Sequence, residues 1–183
     1  MSSRSQQLLA AACASLGILR AMTVIHRASL IVEESVVVQA DAAKVWRVVT
    51  ELQGWPRWVP GCRKARAGKG TPWEQGFRFE FDARPWWPSS RVKATVTDVA
   101  TRRGVVWDVR GGGVMAQQRV ALAEDGTSTK VTLRTVAGGH APGFSPFDLV
   151  AALRSKYQSD VERLREASQK FLAALKAEAE KAT

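Results

Sequence analysis

The sequence predicts an α+β fold in which a curved antiparallel sheet closes on one long C-terminal helix. Three observations carry that prediction: strands that alternate apolar and polar residues, a short tryptophan-bearing helix after the first strand, and one amphipathic stripe from Ser145 to the end. Such a sheet must bury its apolar face, and a single helix covers it incompletely, so the pattern describes a container.

From Leu30 the text IVEESVVVQA reads as a strand with Val32, Glu34, Val36 and Val38 on one face. Asp41 caps a helix whose apolar side is Ala43, Val45, Trp46, Val48 and Val49, and Gly54 and Pro56 break it. In the segment that follows, Trp55 and Trp58 stand among breakers, and Arg57, Arg63, Lys64, Arg66 and Lys69 follow with no acid between them. The clearest strand is GFRFEFD: Phe77, Phe79 and Phe81 point one way, Arg78, Glu80 and Asp82 the other. After the Pro-bounded turn RPWWPSS come the strands RVKATVTDV and GVVWDVR, the second aligning Val105, Trp107 and Val109. VMAQQRVAL and KVTLRTV form a hairpin through the Asp125-Gly126 turn signal. The same alternation turns Asp108, Arg110, Arg119, Lys130 and Arg134 to water.

Ser145, Pro146 and Asp148 mark a helix N-terminus, and Val150, Leu153, Tyr157, Val161, Leu164, Ser168, Phe171 and Leu175 recur every three or four residues. About 35 helical residues reach some 50 Å, whereas a six-residue strand covers about 20 Å. The helix is therefore expected to overhang, packing from Phe147 to about Leu164, with 173–183 as a solvated end.

With 183 residues, 45% of them hydrophobic, one domain suffices, assigned to 29–172. Residues 1–28 form an extension with Arg4, Arg20 and Arg27 and no acid. An organellar transit segment, a signal-type apolar stretch from Leu8 to Leu19, and a natural start at Met22 all stay open. Cys13 and Cys62 have neither metal-ligand nor framework spacing, which fits a reducing, cytoplasmic setting. A net charge of +10 draws the chain toward anionic surfaces, which suggests a position peripheral to a membrane.

Three ionisable candidates remain for proton transfer, Glu34, Tyr157 and His140, against Gln118 and Thr135 as orienting groups in an apolar interior. Gly111 to Gly113 precede a strand and not a helix, and no nucleotide-binding or metalloprotease motif is present, so no cofactor or metal is expected. The expected ligand cavity is lined by Trp46, Trp55, Trp58, Phe77, Phe79, Phe81, Trp107, Val109, Gln118, Val120, Thr135, Val150, Leu153 and Tyr157. Any one of these aromatics fits core packing as well as ligand contact.

The segment VVVQADAAKVWRVVTELQGWPRWVPGCRKAR resembles the opening of the START-like, polyketide cyclase/dehydrase (SRPBCC, Bet v 1-like) superfamily. It has that group's alanine-rich helix with a Val-Trp pair, Val45 and Trp46, and its Trp-x-x-W/F-x-P element, Trp55, Trp58 and Pro60. EDGTSTKVTL is similar to the penultimate hairpin, and WPRWVPGCRKAR looks like the coenzyme Q-binding branch. The resemblance, over roughly 29 to 172, implies a helix-grip: about seven antiparallel strands wrapped around the C-terminal helix, enclosing a space for lipids, quinones or polyketides. Three functions are thus expected in competition: a carrier of a small apolar ligand, a cyclase/dehydrase-type enzyme using Glu34, Tyr157 or His140, and a basic module that meets an anionic membrane through Arg57, Arg63, Lys64, Arg66 and Lys69. Nucleic acid is disfavoured, because the basic residues are not interleaved with exposed stacking aromatics.

Overall fold

Period-two burial starts at once in β1 (Ser29–Val38), where Val32 and Val38 are buried and Ile31, Glu33, Ser35 and Val37 are exposed. Asp41 then caps α1 (Ala42–Thr50), its carboxylate accepting from the Lys44 backbone N at 2.7 Å, and α1 buries Ala42, Val45 and Val49. A 3-10 turn, Leu52–Gly54, leads into α2 (Trp55–Trp58). Here Pro56 occupies the first helical turn, where its missing N–H costs nothing, so it opens this short helix and does not simply end the one before.

The remaining elements are β2 (Ala65–Ala67), β3 (Arg78–Phe81), β4 (Val92–Ala100), β5 (Gly104–Gly111), β6 (Val114–Asp125), β7 (Ser128–Gly138) and α3 (Pro146–Ala179). The structure, a computed structural model, describes residues 29–82, 91–111, 114–138 and 146–181, and the side chains of α3 from Ser159 onward. The extension 1–28, the RPWWPSS turn, His140, the Ser145 cap and the side chains of Val150, Leu153 and Tyr157 lie outside the described residues.

All seven strands form one antiparallel sheet in the order β1-β7-β6-β5-β4-β3-β2, an α+β helix-grip with its short helices after the first strand. β2 is a strand that alternation does not reveal, because Ala-Arg-Ala is too short to carry a pattern. The β6–β7 hairpin closes by pairing Asp125 with Ser128, and Gly126 takes φ +60° in the turn, a conformation that a side chain would strain. In β4 the register shifts between Val96 and Asp98. The extra residue, Thr97, lets Val96 and Val99 face the same side, so the concave face stays apolar across the irregularity.

α3 corrects one expectation. The end from Ala173, expected to be solvated, is packed: Leu175 and Ala179 are 0% exposed and Leu172 only 2%. The apolar stripe keeps its helical spacing through Ser168, Phe171, Leu175 and Ala179, and β1, α1 and α2 close on that stretch. Polar contacts fasten it as well. Glu180 accepts from the Gln39 backbone N at 2.6 Å, Lys176 Nζ donates to the Val37 carbonyl at 2.7 Å, and Lys44 Nζ donates to the Lys181 carbonyl at 2.7 Å.

Candidate functional site

Strand pairing stacks the inward side chains into rows across the sheet. One row reads Val32, Thr135, Gln118, Trp107 and Val96; the next, toward the start of β1, reads Leu30, Ala137, Ala116, Val109, Ala94 and Phe79. The concave face is therefore graded. Toward β3 its rows carry large rings, Trp107 in the first and Phe79 in the second, and on β6 and β7 they carry alanines, a threonine and a glutamine.

The ring end is filled. Trp55 lies 5.5 Å from Phe79, 5.3 Å from Phe81 and 6.3 Å from Trp107, mostly edge to face. Trp58 reaches Phe171 of α3 at 5.2 Å. Trp73, which sequence reasoning did not single out, completes the cluster at 5.8 Å from Phe77, 5.5 Å from Phe79 and 6.3 Å from Trp107. It sits at φ +57°, an uncommon conformation for a bulky residue, and its indole N–H donates to the Thr50 carbonyl at 2.6 Å. No local pattern marks Trp73, since it stands in a turn between strands; only the gathering of aromatics in three dimensions assigns it.

Of the expected lining residues, the structure thus brings Trp55, Trp58, Phe77, Phe79, Phe81 and Trp107 into one packed cluster. Gln118, Val120 and Thr135 stand on the neighbouring strands of the same face, Val109 lies beside Ala116, and Trp46 is half-buried on α1. Sequence reasoning passed over Ala116 and Ala137, although their even spacing with Gln118 and Thr135 marks them as inward.

Hydrogen-bond accounting isolates one group. Trp55 donates to the Val49 carbonyl at 3.0 Å, Thr129 to the Ala40 carbonyl at 2.7 Å and Ser168 to the Leu164 carbonyl at 2.9 Å. Trp107 Nε1 donates to Gln118 Oε1 at 2.9 Å. An indole N–H is a donor only, so this bond fixes the amide and leaves the Gln118 NH2 as a donor with no partner among the described residues. Thr135 is 1% exposed, and its Oγ1 is the buried side-chain polar atom that has no hydrogen-bond partner among the described residues. Thr135 and Gln118 are direct cross-strand neighbours.

Ionisable groups are sparse on this face. Among the described inward strand positions, Glu124 is exposed beside the hairpin turn, and Glu34 lies at the β1 edge. Glu34 Oε1 is 3.2 Å from Arg165 Nε, and Glu34 Oε2 accepts from Gln169 Nε2 at 3.3 Å, so its carboxylate fastens β1 to α3. An open groove of about 360 Å³ runs along this edge between Ser35, Val36, Leu172 and Ala173. Arg57 lies between Glu51 at 3.7 Å and Glu178 at 3.9 Å, and Arg63, Lys64, Arg66 and Lys69 are exposed. No group of three or more potential metal ligands occurs among the described residues, and none of their helices is long and apolar enough to cross a membrane.

A sheet gripping one helix, closed by rings at one side and lined by small and polar residues at the other, defines a helix-grip protein of the START and Bet v 1 kind. The chain belongs to the polyketide cyclase/dehydrase and lipid transport family, which it matches over residues 29–180. Among solved structures it is similar to the Zhui aromatase/cyclase of a Streptomyces species, with TM-score 0.63, 20% identity, and 84% of this chain and 94% of that one covered. It is also similar to the di-domain aromatase/cyclase StfQ of the steffimycin pathway, with TM-score 0.64, 14% identity and 83% of this chain covered, and it spans 51% of that protein. A START superfamily protein from Mycobacterium smegmatis aligns with TM-score 0.51 and 15% identity, over 76% of this chain and 97% of the other. At these identities the likeness is one of fold. No curated protein matches the sequence.

Proposed function

We propose that the chain binds a small apolar molecule bearing one hydrogen-bond acceptor, held between the concave face and α3 with that acceptor against Thr135 and Gln118. The observation that carries this reading is the buried, unpartnered Thr135 hydroxyl. Leaving such a group unsatisfied costs about 1–3 kcal/mol, so a fold keeps it only where something else meets it. The neighbouring Gln118 NH2 supplies a second donor, and a carbonyl or phenolic oxygen of a quinone, a polyketide-like aromatic or a lipid ester answers both. Ala116 and Ala137 leave room beside this pair, with Val109 and Val120 as apolar lining. Trp107 and the rings of Trp55, Trp58, Phe77, Phe79 and Phe81 form the end wall.

Turnover of the cyclase/dehydrase type needs a free proton-transfer group within reach of the guest. The carboxylate of Glu34 is held by Arg165 and Gln169, which favours binding over catalysis by that residue. Native mass spectrometry, together with tryptophan quenching by quinones, fatty acids and aromatic ketones, tests the proposal. Saturable quenching by carbonyl-bearing aromatics, weakened in Gln118→Leu, is expected. Equal affinity of the wild type and Gln118→Leu for every guest would overturn the assignment of the polar pair.

A further inference from the structure

The outer face of the sheet carries charge in an arrangement that its own fold neutralises only in part. Lys93 of β4 stands directly opposite Arg110 of β5, and Arg119 of β6 directly opposite Arg134 of β7, all on the solvent side. Like charges facing each other across strands repel, and each such pair costs stability that an anion lying over it would recover. Arg134 reaches Glu33 at 3.9 Å and Lys93 has Glu80 as its other cross-strand neighbour, but Arg110 and Arg119 have no ion-pair partner among the described residues. Arg66 of β2 extends the row of Lys93 and Arg110 beyond Glu80.

We propose that this outer face docks on an anionic lipid surface. The choice of lipid rests on the apolar residues among the cations. Met115, 55% exposed, is the cross-strand neighbour of Arg110, and Ile31, 53% exposed, stands on the same face of β1. Apolar side chains flanked by cations suit an interface where methylene chains lie under phosphates, whereas beside a nucleic acid backbone they contribute little. Among the described residues the outer face of the strands presents no aromatic ring on which bases could stack. This surface lies on the opposite side of the sheet from Thr135 and Gln118, so the inference does not depend on the guest.

The test is sedimentation with phosphatidylcholine vesicles and with vesicles in which a third of the lipid is phosphatidylglycerol, across a salt series. The wild type is expected to pellet with the anionic vesicles alone and to be released as salt rises. The double variant Arg110→Glu/Arg119→Glu turns each repelling pair into an attracting one, so its melting temperature should hold or rise while anionic partitioning falls at least about tenfold. Met115→Gln should weaken vesicle binding and leave retention on a duplex RNA column unchanged. Three results would overturn the proposal: no pelleting with anionic vesicles at low salt, an equal loss in Arg63→Glu/Lys64→Glu, which moves the contact to the α2–β2 segment, or tighter binding to duplex RNA with Met115→Gln silent, which makes nucleic acid the partner.

Discussion

Replacing Thr135 by valine separates a ligand contact from a structural one, because the two roles predict opposite signs. Valine keeps the β-branched shape and removes the hydroxyl, which is 1% exposed and unpartnered. Removing an unsatisfied buried polar group recovers about 1–3 kcal/mol. At about 2–4 °C per kcal/mol for a domain of this size, the guest-free variant should melt about 2–12 °C higher. Part of that gain reflects the better strand propensity of valine, and Thr95→Val on the outer face measures this part alone. For a carbonyl-bearing guest, loss of one hydrogen bond worth about 0.5–1.5 kcal/mol should weaken affinity by up to about tenfold. Calorimetric melting with and without guest, and titration by tryptophan fluorescence, read both quantities. A variant that is less stable than wild type and binds guests unchanged would mean that the hydroxyl already has a structural partner, and the reasoning would fail.

Other outcomes follow from the same geometry. Leu175→Ala, at a fully buried position, should cost about 2–5 kcal/mol in urea unfolding, whereas a solvated helix end would lose almost nothing. Glu34→Gln removes a half-exposed ion pair and should cost about 1 kcal/mol or less, with guest affinity intact; collapse of a measurable turnover would instead identify Glu34 as catalytic. Burial, the largest cause, pushes the Cys62 thiol above its ordinary pKa, outweighing the backbone groups of Lys64 and Asp82 that act the other way. The unfolded thiol therefore ionises first, so stability should fall as pH climbs past the ordinary thiol range, and Cys62→Ala should flatten that slope in alkaline urea titrations.

The parts of the fold that repeat are the parts the sequence discloses. Phe77, Phe79 and Phe81 share a face because strand side chains alternate, and Val105, Trp107 and Val109 do so for the same reason. The capping carboxylate of Asp41 and the turn glycine Gly126 are equally local signals. What stayed hidden depends on contacts distant in the chain. Trp73 enters the ring cluster only because β3 and β5 bring Phe79 and Trp107 to it. The burial of Leu175 and Ala179 depends on β1, α1 and α2 closing around them, so a length comparison between helix and strand cannot show that the end of α3 is covered. Alternation alone turns Gln118 and Thr135 inward as orienting groups, but their pairing, and the missing partner of Thr135, depend on the register of β6 with β7.

β1 is the outermost ribbon of the sheet, and its free rim is stoppered at Val37 and Gln39 by the side chains of Lys176 and Glu180. Docking of the helix thus doubles as protection against self-association: while α3 is seated, a second molecule finds the Val37 end of that rim already bonded. Any treatment that lifts the last turns of α3 bares an unpaired, valine-rich ribbon. Fibrils or strand-exchanged dimers should then appear at temperatures where the rest of the sheet is still intact.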